Sequence, residues 1–328
     1  MAITKLHPIL GSLLFASFCG AAYGVLTQAV ARFGAKHDQQ IPQAFLIMSA
    51  AYVFLLPAVI GMVHVYIRSR VKVVGYVSAI FEPLVPALLC LIFSVLVHWE
   101  GTICLIMALP VMLIFSALGG LIMKLILSFK NKNLIFATFV FLPVPLSFVE
   151  QKIPLPQEKQ IVANSIRIQA DAATVWKKIV RVERITEPQE SVFFSMGFPR
   201  PVEAVLSGDG VGKTRLATFE RGLQFYETVT DWSENRKLGF TIKADPKMTP
   251  LTTLDDHVTV GGAFFDVLSG TYEIEKTGAG EVELKLYSEH RISTHFNFYA
   301  RLWSRFLMGE IQSNILKVIK TRAEAAKG

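Results

Sequence analysis

Long apolar stretches without charge divide the first 150 residues of this chain, and the residues after them have no such stretches. Pro8 to Ala31 holds only small and apolar residues apart from Ser12, Ser17, Tyr23, Thr27 and Gln28. At 1.5 Å per residue it is long enough to cross a hydrocarbon core of ~30 Å. Gln43 to Ile67 and Gly101 to Leu127 are two more such stretches, the second uncharged until Lys124, whose stem can carry its amine to the headgroups. The stretch from Val73 to Trp99 contains Glu82, Pro83 and Pro86. Proline is tolerated in a first helical turn and a lone buried charge is expensive, so a short span starting at Pro83 is expected there. Leu134 to Val149 is short and holds Pro143 and Pro145, with nothing more polar than Thr138 and Ser147. Residues 1–150 are therefore expected to form four or five transmembrane helices, at about 8–31, 43–67, 83–99, 101–127 and 134–149.

With five crossings, Lys5, Arg68, Arg70, Lys72, Lys130 and Lys132 fall on one side, and Glu100 and Glu150 on the other. The positive-inside rule then puts the amino terminus in the cytoplasm and everything after Glu150 outside it, with Arg32 and Lys36 against the rule. Without the fifth crossing that part returns to the cytoplasm. Cys19 follows Phe18, a bulky residue that spoils a lipoprotein cleavage site. The apolar stretch around Ala29-Val30-Ala31 exceeds the ~7 to 15-residue core of a signal peptide, so the first helix is expected to be retained. An integral membrane protein of a bacterial inner membrane is the expected setting.

The net charge of +7 does not describe a nucleic-acid footprint. Residues 1–149 carry nine Lys/Arg against three Asp/Glu, whereas residues 150–328 carry 24 against 23. The excess flanks the apolar stretches. All three cysteines, Cys19, Cys90 and Cys104, lie within them, so a disulfide, thiolate zinc site or cysteine nucleophile is not expected in the second half.

After a proline-broken linker at 151–160, the period changes from helical to alternating. Ile161 to Ala170 alternates like a strand, and Asp171 is placed to cap the helix that follows, with Val175, Ile179 and Val182 at helical spacing. Strand-like runs cover 202–206, 214–220, 223–232, 237–244, 264–275 and 282–292, separated by turn-forming segments such as GDGVG, SENR and KTGAGE. Phe296 to Ala325 reads as one long amphipathic helix, with Tyr299, Trp303, Phe306, Glu310, Ile311, Ile315 and Val318 along one stripe. The expected class is α+β, with a membrane region, a linker and a domain at 161–328.

This order of elements, the turn-strand segment GDGVGKTR (Gly208 to Arg215), the aromatic strand FYETVTDW and the closing aromatic helix resemble the START and polyketide-cyclase superfamily (SRPBCC) over residues 158–325. The resemblance implies a helix-grip fold, in which a curved antiparallel sheet wraps a long carboxy-terminal helix and leaves an apolar cavity for a hydrophobic ligand.

Catalytic signals are weak. GDGVGKT lacks glycine at Ser207 for a phosphate loop and leads into a strand, so it reads as a turn. Asp255, Asp256 and His257 have metal-capable side chains, but three chain neighbours do not converge on one ion unaided. No metal and no cofactor is expected. His290, Arg291 and His295 sit where the last strand meets the helix and could meet an anionic headgroup or serve as a base, with strand-end polar roles the plainer reading. Glu227 and Glu310 are carboxylates on apolar stripes, and an ion pair of Glu227 with an arginine such as Arg215 is the expected role. Tyr272, Tyr299 and Trp303, followed by Phe306, Phe225, Phe265, Glu227 and His290, are the candidate ligand contacts, because large rings with polar tips both fill and orient. Binding or transfer of a lipid-like ligand drawn from the bilayer is the first functional reading. A cyclase or dehydratase-type enzyme and a sensor or assembly module are the alternatives.

Overall fold

The computed structural model describes residues 3–34, 46–245 and 258–326. It divides into two compact units, Met1–Pro154 and Leu155–Gly328.

In the first unit, α1 (Ile3–Gly34) is followed by a π-helical turn (Ala51–Leu55) that runs into α2 (Leu56–Ser69). Next come α3 (Tyr76–Phe81), α4 (Leu84–Leu96) and α5 (Thr102–Ile126). Four segments are long and apolar enough to cross a membrane: Leu10–Ala31, Ala51–Ser69, Tyr76–Leu96 and Thr102–Ile126. α6 (Lys132–Phe141) and α7 (Pro143–Glu150) meet at a 45° bend and would make a fifth if taken as one broken span. Residues 43–45 of the expected second span lie outside the described residues.

The expected short span at 83–99 is corrected here. The apolar segment begins at Tyr76, and Glu82 lies inside it, at the junction of α3 and α4. The carboxylate is tolerated because it is not alone: Arg68 Nε lies 3.1 Å from it, Lys72 Nζ 3.4 Å and His64 Nε2 3.5 Å. Arg68 also donates to Ser12 of α1. At the other end of α2, the Glu150 carboxylate accepts from the amides of Ala50 (2.6 Å) and Ala51 (2.9 Å), beside the Ser49 hydroxyl, which takes the Tyr52 amide at 3.1 Å. Between these ends, α2 and α5 pack backbone to backbone. A Cβ on Gly61 would stand 1.9 Å from the Ser116 carbonyl oxygen, and one on Gly119 1.8 Å from that of Ala58.

The second unit is one seven-stranded antiparallel sheet and a long helix. β1 (Gln157–Ile168) is followed by α8 (Ala172–Val180) and α9 (Val192–Ser195). Then come β2 (Pro201–Leu206), β3 (Thr214–Phe219), β4 (Gln224–Ser233), β5 (Lys237–Ala244), β6 (Phe265–Gly278) and β7 (Glu281–Ser293). α10 (Asn297–Ala325) closes the chain. Strand order is β1-β7-β6-β5-β4-β3-β2, so the first strand pairs with the last and the rest form a meander. Asp171 caps α8 by accepting from the Thr174 amide at 2.7 Å. Inward residues of β7 alternate as Val282, Leu284, Leu286, Ser288 and His290, which sets one face of the sheet against α10. The sheet curls around that helix.

Candidate functional site

Between the curled sheet and α10 lies a cavity of about 120 Å3, counted as the space that water centres can occupy. One water needs about 10–15 Å3 on that measure, so the space admits a multi-atom organic group. Its walls are mostly apolar. β3 and β4 contribute Ala217, Phe219 and Phe225, β5 and β6 contribute Phe240, Ile242, Phe265 and Val267, and α10 contributes Leu307, Met308, Ile311 and Ile315. Phe240 can lie flat on the sheet because Gly270 stands opposite it: a Cβ there would meet the ring at 2.6 Å.

One wall is charged. Arg215 and Glu227 are direct cross-strand partners on β3 and β4, both on the inner face, 3% and 6% exposed. The Arg215 guanidinium donates to the Glu227 carboxylate and sits 5.3 Å from the Phe240 ring centre. Burial pushes the Glu227 carboxyl up, opposed by Arg215. The arginine keeps its proton, its pKa lowered by burial but raised on balance by Glu227 and Tyr272. An uncompensated cation would be costly here, so the pair is held as ions. Burial likewise pushes the Tyr272 hydroxyl up to about 12, with the neighbouring Arg215 opposing. Arg215 Nε is buried without a hydrogen-bond partner among the described residues, whereas buried N–H groups are nearly always paired.

A second polar patch is satisfied internally. Gln312 of α10 donates to the Val162 carbonyl (3.0 Å) and to Ser288 Oγ (2.8 Å), and its oxygen accepts from Asn164 (3.2 Å).

Tyr272, Phe225, Phe265 and Glu227 thus stand on the cavity wall. Tyr299, Trp303 and Phe306 belong to the amino-terminal half of α10 and are not among the lining residues; Phe306 is 47% exposed and packs on Phe193, ring centres 5.0 Å apart. Glu310 is not in the lining either. His290 is fully buried between β7 and α10, not a surface strand-end residue, with Nε2 3.0 Å from Ser304 Oγ. Arg291 holds the carbonyls of Gly262 and Ala263. Asp255, Asp256 and His257 lie outside the described residues. The sequence singles out Glu227 as a ligand contact and Arg215 only as its ion-pair partner; the alternation of Arg215, Ala217 and Phe219 with outward neighbours is the signal that puts Arg215 on the cavity wall as well.

Seven antiparallel strands curled on one closing helix, with a cavity between, decide the architecture. The C-terminal unit has the helix-grip fold. Solved structures match this half of the chain. They include a point mutant of norcoclaurine synthase from Thalictrum flavum in complex with a transition state analogue, 11% identical, covering 53% of this chain and 99% of that one at TM-score 0.33. The Zhui aromatase/cyclase from Streptomyces sp. R1128 is 11% identical over 52% of this chain and 97% of its own, at TM-score 0.34. A conserved protein from Geobacillus kaustophilus is 15% identical over 51% and 97%, at TM-score 0.32. No family model and no curated protein matches the sequence.

Proposed function

We propose that the helix-grip unit binds one mostly apolar, amphipathic molecule, a lipid or isoprenoid-like compound, and that the N-terminal helices anchor it to the bilayer that supplies this ligand. The observation that carries the reading is a largely apolar cavity whose charged wall presents a buried arginine N–H without a partner among the described residues. Such a donor is matched by a ligand oxygen, a carbonyl, carboxylate or hydroxyl, with the apolar remainder against Phe225, Phe240 and Ile311. Anchoring raises the effective concentration of a membrane-derived ligand at the cavity.

Binding is favoured over proton-transfer chemistry. The Tyr272 hydroxyl, at about 12, holds its proton at neutral pH, and Glu227 is engaged by Arg215. The charge pattern supports a five-crossing topology in a bacterial inner membrane with the helix-grip unit outside the cytoplasm. A reporter active only outside the cytoplasm, fused to the carboxy end, would stay silent if the bent α6–α7 pair does not cross.

The test of binding is native mass spectrometry of the full chain extracted from its host membrane. A stoichiometric amphiphile is expected. The paired change Arg215→Met with Glu227→Leu removes both charges together and spares the fold, and it should lower ligand retention about ten-fold or more, roughly 1.4 kcal/mol. A wild-type chain carrying no small molecule, with a melting temperature indifferent to added lipids, overturns the reading.

A further inference from the structure

α10 carries a second apolar face besides the one on the cavity. Phe298, Leu302 and Phe306 recur at a spacing of four, which aligns them on one side of the helix, and they are 62%, 64% and 47% exposed. Val192 of α9, 53% exposed, precedes Phe193, the ring that packs against Phe306. Arg305 is exposed beside the stripe, and Arg301, held by Glu158 at 3.2 Å, is half-exposed. Contiguous exposed apolar side chains of this size are uncommon on a surface that meets only water.

We propose that this stripe is a membrane-contact surface, lying on the same bilayer that the N-terminal helices occupy. Two observations choose the bilayer over a protein partner. The first is covalent: only residues 151–156 separate Glu150, the end of the last apolar helix, from Gln157, the start of β1. Fully extended, six residues reach about 20 Å. The second is where that connection enters the fold. The Pro156 carbonyl accepts from Asn297 Nδ2 at 3.0 Å, and Asn297 is the first residue of α10, next to Phe298. The stripe therefore begins at the point where the chain leaves for its apolar helices. Large apolar side chains flanked by arginines are the pattern that inserts at the headgroup boundary of anionic lipid. Leu307, Met308 and Ile311, directly after the stripe, line the cavity, so a bilayer under the stripe lies beside the helix wall through which an apolar molecule would be exchanged. The surface is independent of whatever occupies the cavity.

The experiment uses the full chain in nanodiscs of mixed neutral and anionic phospholipid, with Cys19, Cys90 and Cys104 replaced by alanine. A single bimane label is placed through Leu302→Cys or, as control, through Val211→Cys. Val211 lies on the β2–β3 turn, where Asp209 pairs with Arg181 at 2.7 Å. Arg322 near the far end of α10 binds the nearby Glu183 carbonyl at 2.8 Å. That end is about 36 Å from Phe298 at 1.5 Å per residue. Lipids carrying a shallow doxyl quencher should dim the label at 302 about two-fold or more and leave that at 211 unchanged. Phe298→Cys repeats the measurement should the first variant melt abnormally. Equal or absent quenching at 302 and 211, including the case where the stripe is covered by a second copy of the chain, overturns the proposal.

Discussion

In the N-terminal unit Leu14, Phe15, Phe18 and Leu26 point outward, each more than half exposed, while Ser17, His64, Arg68 and Ser94 are inside. The C-terminal unit reverses this arrangement. Leu238, Phe240, Leu284 and Leu316 are buried, and on β7 the charged neighbours of Leu284, Glu283 and Lys285, reach the surface. The inversion is the one expected of a unit suited to hydrocarbon joined to a unit suited to water. In hydrocarbon there is little to gain from burying leucine, so cohesion comes from close backbone approach and from polar groups that have nowhere else to bond. In water the apolar area itself drives packing. Buried charge follows the same division. Glu82, at an α3–α4 junction, faces two cationic side chains, Arg68 and Lys72, and the His64 ring, whereas Glu227 faces a single arginine across one strand pair.

The contrast breaks most visibly at a glycine. Gly119→Val puts two methyl groups where the Ala58 carbonyl oxygen already stands, backbone that cannot turn away. The expected loss exceeds about 4 kcal/mol, read as disappearance of the N-terminal unit's melting transition in detergent. The C-terminal transition should survive unchanged. Loss of both together would show that the units do not fold separately, and loss of neither would show that α2 and α5 are not in contact as described.

A titration sharpens the comparison at the next scale. Burial, with Arg305 adding to it, lowers the His290 imidazole from 6.5 to about 4. The Ser304 hydroxyl donates to the Arg301 carbonyl at 3.3 Å, so His290 Nε2 donates to Ser304, and the neutral ring fits. Below pH 6.5 the unfolded chain takes up a proton that the folded one refuses. The stabilising contribution is therefore complete above about pH 6.5 and is lost as pH falls toward 4, up to about 3 kcal/mol at 1.4 kcal/mol per unit. Denaturation of the C-terminal unit between pH 7 and 4 should show this loss, and His290→Gln should remove that part of the slope. An unchanged slope in the variant would assign the acid sensitivity elsewhere.

Much of the second unit was legible because water enforces a period of two. Runs such as Lys237 to Ala244 and Val282 to Ile292 alternate so regularly that their edges agree with the strands to within a residue or two. The glycine turn before Arg215 was legible for a similar reason, since positive φ at Gly210 and Gly212 needs the residue type that is there. Partners distant in sequence were not legible. Nothing local to Glu82 reveals that Arg68 and Lys72 meet it, and so the span was expected to start one residue too late to include it. The stripe of α10 was ambiguous for another reason: rings four residues apart announce an apolar neighbour without saying which one. Phe306 and Ile311 belong to one predicted stripe, yet one is 47% exposed and the other lines the cavity.

The smallest expected effect tests how each unit begins its helices. α8 starts with its own cap, the Asp171 carboxylate taking the Thr174 amide, and that contact holds the Asp171 pKa below its ordinary value. α9 starts the same way at Ser191. In the N-terminal unit the helices beginning at Leu56, Tyr76, Leu84, Thr102, Lys132 and Pro143 have no side-chain cap of their own. At the start of the π-helical turn before α2, Ser49 takes the Tyr52 amide, but the amides of Ala50 and Ala51 are held by Glu150, about a hundred residues away. A local cap acts on one helix, so Asp171→Ala should cost about 1 kcal/mol. That lowers the C-terminal unit's melting temperature by roughly 2–4 °C. A distant cap ties two elements together, so Glu150→Ala should loosen the N-terminal unit by more than this, because a part-buried amide pair loses its acceptor while α7 loses its hold on the π-helical turn before α2. Melting the two variants side by side decides it. Equal shifts in both units would mean that helix starts are satisfied alike on the two sides of Pro154, and the distinction between local and long-range capping would fail.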